Sequence, residues 1–363
     1  MFVPAMPGAA IALGVSPSMM QLTLTIYLGG MGVGQIVSGP LADRVGRRPV
    51  LLGGIALFVA GSAACWAAPS ITLLLAGRAT QALGASAGVV VGRSMAGDAG
   101  ARGARDMALL SAIVMLSPML APLLGGALQN LAGWRSIFAV LASAAGLCGL
   151  AAIRGVPETR AIRGIPAAGS PAGWAGIVIE AGFARNLALS TALSGGLYVF
   201  LTASPFLLVE TYHADPRRLG IYYGLVALGA ALGALASSRL AGGWTIDRLI
   251  RVGTAVAAAG ALGFALTAVL GWRDSLGLIV PMMVFAFGGG LAIPNAMIAA
   301  LTENQQRIGT AVSAFGALQM LGNAAITSGI ASTAPRNVVI VALGIAGLAA
   351  FAASLGFREE VGG

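Results

Sequence analysis

The chain of 363 residues has 58% hydrophobic and only 9% charged residues, and its mean hydropathy is +0.90. A water-exposed surface needs far more polar side chains, so this composition excludes a soluble globular enzyme and predicts a polytopic helical membrane protein. All 21 basic residues are Arg and the net charge is +9, but they stand singly or in small groups between apolar runs, which favours loop anchors over a nucleic-acid-binding face. With two Cys in apolar stretches and one His, neither a disulfide framework nor a metal site is expected.

Apolar stretches long enough to cross a membrane, roughly 20 residues each, follow one another along the chain. Five of them precede residue 154 and six follow residue 182. The predicted helices are Ser18–Ala42, Val50–Ala67, Ile71–Arg93, Met107–Leu128, Trp134–Ile153, Phe183–Val209, Leu219–Ser238, Leu249–Leu270, Leu276–Leu301, Ile308–Ile330 and Val338–Leu355.

The stretch over residues 155–182 is too polar and too often broken by Pro and Gly to cross a membrane, so it is predicted to be a cytoplasmic linker. It separates a predicted N-terminal six-helix half, residues 1–154, from a predicted C-terminal six-helix half, residues 183–358, with a cytoplasmic tail at 359–363. Placing the Arg-rich loop after the first long helix in the cytoplasm puts 14 Arg inside and 5 outside, as the positive-inside rule requires.

This orientation requires one more helix before Ser18, running outward from the cytoplasm. The residues available, Met1 to Gly14, reach about 21 Å at about 1.5 Å per residue, less than a hydrocarbon core of about 30 Å. We therefore expect twelve transmembrane helices, the first of them truncated.

A repeated spacing links the two predicted halves. Pro17 precedes two glycines by 13 and 17 residues, and Pro216 precedes two glycines at the same offsets. The spacing indicates a duplication of six helices.

The loop after the second predicted helix has the sequence GPLADRVGRRP, residues 39–49. Its glycines permit close helix approach and a tight turn, and Asp43 can pair with an Arg of the loop at a helix end. Asp98, at the cytoplasmic end of the fourth helix, is a second candidate partner. We expect a conformational latch that closes the cytoplasmic side, and topological anchoring by the Arg alone is the alternative. The latch residues are Gly39, Asp43, Arg44, Gly46, Arg47, Arg48 and Asp98.

This loop resembles the loop motif of the major facilitator superfamily, and longer runs resemble the Bcr/CflA type of multidrug resistance transporter. These runs are LGVSPSMMQLTLTIYLGGMGVGQIVSGPLADRVGRRPV, LAGRATQALGASAGVVVGRSMAGD, APLLGG followed by GWRSIF, ASPFLLVETY, AIPNAMIAAL and GTAVSAFGALQM. The resemblance covers nearly the whole chain. It implies a major facilitator fold with parallel halves in the bacterial inner membrane, and export of drug-like small molecules by proton antiport, with the proton gradient as the energy source and no cofactor.

Arg78 lies about two turns inside the fourth predicted helix, and Gln81 lies one turn further. A charge inside a membrane is costly, so a functional role is the default interpretation. The family resemblance implies that Arg78 influences proton transfer, and Gln81 is a candidate hydrogen-bonding partner of substrate. An Arg that snorkels outward is the alternative. Gly84, Gly88 and Gly92 continue at four-residue spacing and are interpreted as a packing seam.

Uncharged polar residues inside other helices are candidates for lining a central cavity of mixed polarity. For each one, an interhelical hydrogen bond is the alternative role. The predicted proton and substrate path consists of Arg78, Gln81, Tyr27, Gln35, Tyr198, Asn295, Gln319 and Asn323.

The fifth predicted helix contains Pro118, Pro122, Gly125 and Gly126, a helix-bend motif. It is a partial match to the antiporter motif of the superfamily, with Ala121 where the fuller pattern has Gly. Proline allows bending, and the glycines let this helix approach the other half. A kinked packing helix with no bearing on the direction of transport is the alternative.

Proton coupling usually requires a carboxylate inside the membrane, but all 12 acidic residues map to loops or helix ends. In the resembling family the first helix carries an Asp a few residues before a Pro-x-x-Pro element, which Pro4 and Pro7 match. We therefore expect the coupling acid upstream of Met1, with either the natural start upstream or this form impaired.

The sequence thus predicts an all-α major facilitator protein that exports drug-like molecules by proton antiport and alternating access. Its expected partners are a small-molecule substrate, protons and the lipid bilayer, with no nucleic acid and a monomeric state. Uptake of a small metabolite, or a non-transporting decayed or regulatory copy, are the alternatives. A membrane enzyme is disfavoured because the helices contain no cluster of nucleophile, base and orienting residue.

Overall fold

The computed structural model describes residues 1–98, 121–157, 176–272, 274–302, 308–333 and 337–357. These residues form helices joined by short turns, and no strand occurs among them. Pro118, the start of the fifth predicted helix and most of the predicted linker lie outside the described residues.

The helices follow the predicted apolar stretches closely. The first six are α1 (Met6–Leu13, after a 3-10 turn at Val3–Ala5), α2 (Pro17–Val45), α3 (Arg47–Ala67), α4 (Ile71–Asp98), α5 (described over 121–132) and α6 (Trp134–Gly155). The others are α7 (Ala181–Phe206), α8 (Leu219–Leu240), α9 (Ile246–Val269), α10 (Ser275–Thr302), α11 (Ile308–Thr333) and α12 (Val338–Gly356). Within the described ranges, nine helices are long and apolar enough to cross a membrane.

Side-chain caps define several helix starts. The Ser16 hydroxyl accepts a hydrogen bond from the Met19 amide at 3.3 Å, and Pro17 occupies the first position of α2. The Asn337 side chain accepts from the Val339 amide at 3.0 Å. Because a cap satisfies amides that the helix itself leaves unpaired, the chain can reverse direction within a few residues.

Helices α3 and α4 pack backbone to backbone through glycines spaced seven residues apart. A Cβ on Gly61 would lie 2.5 Å from the backbone N of Gln81 and 2.7 Å from the carbonyl O of Gly77. A Cβ on Gly54 would lie 3.0 Å from the carbonyl O of Gly84. Only glycine permits this distance between the helices, which brings α3 side chains within reach of the polar residues of α4.

Of the three glycines predicted to form a seam on α4, Gly84 contacts α3. Among the described residues, a Cβ on Gly88 or Gly92 would have nothing within 4 Å. Four-residue steps rotate by about 40° each around a helix, whereas an antiparallel contact returns about every seven residues. The glycines of α4 that contact α3 therefore lie at Gly77 and Gly84.

The same contact recurs between α9 and α10. A Cβ on Gly260 would lie 2.7 Å from the carbonyl O of Pro281, and one on Gly253 would lie 2.8 Å from the carbonyl O of Gly288. Gly253 and Gly260 follow the two α3 glycines by 199 residues, the offset that separates the two prolines of the predicted repeat. Helix contacts thus recur at the same interval as the sequence pattern.

Among the described residues, the N-terminal and C-terminal helices meet where α2 packs against α11. A Cβ on Gly32 would lie 3.0 Å from the carbonyl O of Ala317, and the hydroxyls of Thr25 and Thr327 form a hydrogen bond of 3.3 Å. This join places the polar residues of α2 and α4 next to those of α7 and α11.

Candidate functional site

Arg78 is enclosed in the bundle, two turns from the start of α4, with 8% of its surface exposed. Its Nη1 donates to Gln81 Oε1 at 2.7 Å and its Nε donates to the carbonyl O of Thr23 at 3.5 Å. Its guanidinium carbon lies 4.1 Å from the ring centre of Tyr27 and 5.8 Å from that of Phe2. The side chain is therefore held inside the bundle by one amide, one carbonyl and two aromatic rings.

A chain of hydrogen bonds fixes the amide of Gln81. Its Nε2 donates to Ser62 Oγ at 2.7 Å, and that hydroxyl donates to the carbonyl O of Phe58 at 2.7 Å. Since Arg78 can only donate and the proton of Ser62 is already used, Gln81 must present its oxygen to Arg78. The relay through α3 thus orients the acceptor that holds the guanidinium.

The surroundings of Arg78 contain no carboxylate within the described part of the chain. The described ionisable groups near it are Tyr27, Cys65 and the α-amino group of Met1. The acidic side chains that the structure describes all lie at helix ends or in turns: Glu180, Glu210, Asp215, Asp247 and Asp274. Arg does not lose its proton in proteins, so Arg78 is a fixed positive charge rather than a proton carrier.

Two tyrosines lie close to this charge or to the cluster around it. Tyr27 on α2, which stacks on Arg78, and Tyr198 on α7 are both half-buried. Tyr198 packs against an apolar cluster that joins Phe2 on the N-terminal side to Phe206 on α7. The predicted path residues Arg78, Gln81, Tyr27 and Tyr198 therefore lie together at the junction of the two groups of helices.

Two other predicted path residues make interhelical hydrogen bonds. Asn295 Nδ2 donates to Ser237 Oγ on α8 at 2.7 Å, and also to the carbonyl O of Leu291 at 2.6 Å. Asn323 Oδ1 accepts from Ser194 Oγ on α7 at 3.0 Å. Both side chains thus tie neighbouring C-terminal helices together, which was the alternative role for them.

The remaining two path residues lie on the helices that join the groups. Gln35 is buried on α2 with 4% of its surface exposed, and Gln319 is half-buried on α11. Neither belongs to the hydrogen-bonded cluster around Arg78.

The predicted latch loop forms a sharp turn between α2 and α3. Gly39 is buried inside α2, and Gly46 separates the helices with a φ of 102°, a conformation that glycine adopts readily. Arg44 is exposed in the last turn of α2. The side chains of Asp43 and Asp98 lie outside the described structure, so their pairing with Arg stays a prediction.

The turn is attached to α6 by a bond that the sequence did not reveal. Arg48 Nη2 donates to the carbonyl O of Ile153 at 2.6 Å, near the end of α6. Arg47 is buried, with 8% of its surface exposed. A cation at the carbonyl end of a helix is favourable, so Arg48 also stabilises this end of α6.

The described part of the helix-bend motif lies against the first residue of the chain and against α8. A Cβ on Gly126 would lie 2.8 Å from the Cα of Gly220, and one on Gly125 would overlap the backbone of Met1. A Cβ on Gly220 would lie 3.1 Å from the carbonyl O of Pro122. These residues bring α5 to α8 at backbone distance, while Pro118 lies outside the described residues.

Three residues of the Arg78 cluster were missed by the sequence analysis. Ser62, Phe2 and the carbonyl of Thr23 contribute through helix packing, and none belongs to a motif. A lone serine in an apolar helix is the only signal that could have pointed to Ser62.

Replacing Ser62 with Ala should lower the melting temperature of the chain in lipid by about 2 °C. The change leaves Gln81 Nε2 without its acceptor, which costs about 1 kcal/mol in a buried site and loosens the amide that holds Arg78. Thermal melting measures the effect. Ser238→Ala is the matched control, since Ser238 is exposed and bonds only within its own helix. Equal behaviour of the two variants would contradict a role for the relay.

Comparison with known proteins gives a consistent match. Residues 1–327 match the family model described as Major Facilitator Superfamily. A relative described as Chloramphenicol resistance protein, from Pseudomonas aeruginosa, is 32% identical over 343 residues, which cover 93% of this chain and 81% of that protein. Multidrug resistance protein D from Escherichia coli (strain K12) is 28% identical over 336 residues, covering 90% of this chain and 83% of that protein.

A solved structure is similar over the whole chain. The xylose transporter XylE from E. coli, in a partially occluded inward open conformation, has a TM-score of 0.75 at 14% identity, covering 100% of this chain and 94% of that chain. At this identity the likeness concerns the fold alone. With the family match, it confirms the fold class predicted from the sequence.

Proposed function

We propose that this chain, which belongs to the Major Facilitator Superfamily, exports drug-like small molecules by proton antiport across the bacterial cytoplasmic membrane. The chain is a multi-pass membrane transporter and not an enzyme. Relatives named for chloramphenicol and multidrug resistance support drug export. We propose further that it works as a monomer and draws its energy from the proton gradient.

The observation that carries the proposal is the enclosed Arg78 at the junction of the two groups of helices. Its guanidinium stacks on Tyr27 of α2, and Tyr198 of α7 packs against the apolar cluster that contains Phe2. A fixed positive charge lowers the proton affinity of a nearby carboxyl group and attracts hydrogen-bond acceptors of a substrate. Arg78 does not titrate itself, and it would favour proton release from a carboxyl group brought near it, a group that none of the described residues supplies.

Alternating access would proceed by rocking of the two groups about their joins. Helix α2 meets α11 through Gly32 and the Thr25–Thr327 hydrogen bond, and α5 meets α8 through Gly126. The glycine seam of α3 and α4 keeps that hairpin rigid, because its backbones have no side chains between them to repack. Such rigid units rotating about a few contacts are the usual build of secondary transporters.

We propose that the predicted latch acts at the opposite ends of these helices. The Arg48 bond to the end of α6 fixes the α2–α3 turn, as a latch requires. Asp43 and Asp98 are its proposed acidic members, pairing with the loop Arg while the cytoplasmic side is closed.

Expression of this chain in a pump-deficient bacterium should raise resistance to chloramphenicol by several-fold. Addition of chloramphenicol to everted membrane vesicles should discharge an imposed proton gradient, because export moves protons the other way. Resistance plates and a pH-sensitive dye measure the two effects, with Gly53→Ala as a variant expected to behave as the unmodified chain. Drug accumulation in the cells would indicate uptake instead. No movement of drug, with insertion verified, would support a non-transporting role.

A further inference from the structure

A stripe of polar side chains runs along α7 on the side of α11. Asn186, Ser190 and Ser194 recur every four residues, so each lies about one turn above the last and about 40° further around α7. Asn186 has 4% and Ser190 0% of its surface exposed, and Asn323 on α11, facing Ser194, has 0%. We call these four residues the α7–α11 stripe. It lies among C-terminal helices and shares no hydrogen bond with the Arg78 cluster.

Part of the stripe is internally paired. The single proton of Ser194 Oγ has two acceptors within reach, the carbonyl O of Ser190 at 2.7 Å and Asn323 Oδ1 at 3.0 Å. Asn186 Nδ2 donates to the carbonyl O of Gly182 at 2.9 Å. The bond to Gly182 fixes the direction in which the Asn186 amide points.

Three buried polar atoms of the stripe have no protein partner among the described residues. They are Asn186 Oδ1, Ser190 Oγ and Asn323 Nδ2. Native proteins rarely bury a polar atom without a hydrogen bond, and such atoms commonly bind ordered water. The three atoms are spaced by about one turn, so they form three separate polar positions at successive heights along the helix.

The chemistry of the three atoms selects the ligand. Asn186 Oδ1 can only accept, Asn323 Nδ2 can only donate, and the hydroxyl of Ser190 can do both. Water both donates and accepts, so it can satisfy all three atoms, and it can do so with the Asn323 amide in either orientation.

We propose that the α7–α11 stripe binds a file of ordered water molecules, and that this file carries protons through the C-terminal helices. The second part rests on the proposed antiport. No bond of the protein changes, because a hydrated proton enters at one end and an equivalent proton leaves at the other.

The length and position of the stripe fit this role. From Asn186 to Ser194 the helix rises about 12 Å, and from Asn323 to Thr327 about 6 Å more, out of a hydrocarbon core of about 30 Å. Thr327 Oγ1 donates to the carbonyl O of Asn323 at 2.8 Å and pairs with the hydroxyl of Thr25 at 3.3 Å, which extends the polar line to α2. The line thus reaches from the second turn of α7 to the join of the two groups.

Whether the melting temperature of a variant rises or falls tests whether water is bound at the stripe. If the site is dry, Ser190→Ala removes an unsatisfied hydroxyl and the melting temperature of the full chain in lipid rises. If water is bound, the variant loses a hydrogen bond and the melting temperature falls by about 2 °C. Ser204→Ala is the matched control, since Ser204 is equally buried and its hydroxyl bonds the Tyr223 hydroxyl at 3.1 Å. We expect both variants to fall alike, and a rise for Ser190→Ala alone would overturn the proposal.

Transport in proteoliposomes tests the proton route. We expect Ser190→Ala and Asn186→Leu to lower chloramphenicol-driven proton movement by about tenfold, while chloramphenicol exchange, which needs no net proton flux, stays within about twofold of the unmodified chain. Unchanged proton movement, or an equal loss of both activities, would overturn the route. If the unmodified chain moves no chloramphenicol at all, the proposed function and the route fail together, and the melting comparison alone decides whether the stripe is hydrated.

Discussion

Replacing Arg78 with Gln should reduce drug export by about 100-fold while the chain still inserts into the membrane. A unit charge acting over about 6 Å at an effective dielectric constant of about 20 contributes about 3 kcal/mol. That amount corresponds to about 100-fold in a rate or an affinity. Gln keeps a polar side chain of moderate size, so the loss of export measures the effect of the charge rather than the effect of lost side-chain volume. Initial rates of chloramphenicol transport in everted vesicles, corrected for the amount of inserted protein, give the value.

Two further variants separate charge from shape at this position. Arg78→Lys keeps the charge but loses the planar fork that bonds Gln81 and stacks on Tyr27, so we expect partial activity. Arg239→Gln removes the same charge from an exposed position near the end of α8 and should leave transport unchanged. Full activity of Arg78→Gln would contradict the assignment of the site.

Replacing Gly61 with Ala should destabilise the fold by about 1–3 kcal/mol, the usual cost of overpacking. The added Cβ would lie 2.5 Å from the backbone N of Gln81 and 2.7 Å from the carbonyl O of Gly77. Backbone atoms cannot rotate away, so α4 must move as a whole. This movement would also shift Gln81 relative to Arg78, and export should fall together with the melting temperature.

Gly53 offers the matched control in the same helix. A Cβ on Gly53 would have nothing within 4 Å, and the residue is exposed. Gly53→Ala should stabilise the chain by up to about 1 kcal/mol, because Ala favours a helix over Gly. Thermal melting of both variants in the same lipid measures the difference. Similar melting temperatures would mean that α3 and α4 are not held by their glycines.

The helices were predictable because each had to be apolar over its whole length to exist in lipid. The stretch predicted at Trp134–Ile153 is observed as Trp134–Gly155, and the stretch predicted at Leu276–Leu301 as Ser275–Thr302. The end of α7 was less predictable, because Leu207–Thr211 adopts a wider π-helical turn after Pro205. Such a local change of winding depends on which neighbours accept the freed carbonyls, and the sequence pattern carries no record of them.

The candidate site was predictable only where placing a residue inside a membrane costs an unusual amount of free energy. Arg78 is conspicuous because a charge inside a membrane needs a reason, and Gln81 follows at one helical turn. Ser62 carries no such cost, and its contribution depends on the rotation of α3 against α4. Asn295 was predicted as a site residue, but its bonding partner was not. Ser237 lies 58 residues away in the sequence, and only the packing of α8 on α10 reveals the bond.

The seam between α3 and α4 also bears on how the chain enters the membrane during synthesis. Gly61 and Gly77 are only 16 residues apart, so their contact is local and forms early, before the C-terminal helices are made. An Arg entering lipid on an isolated helix would meet hydrocarbon on every side. Within the α3–α4 hairpin, the amide of Gln81, held by the hydroxyl of Ser62, bonds Arg78 before the C-terminal helices are made. By holding α3 against α4, the glycines help to supply Arg78 with a hydrogen-bonding partner during insertion, long before a substrate can bind.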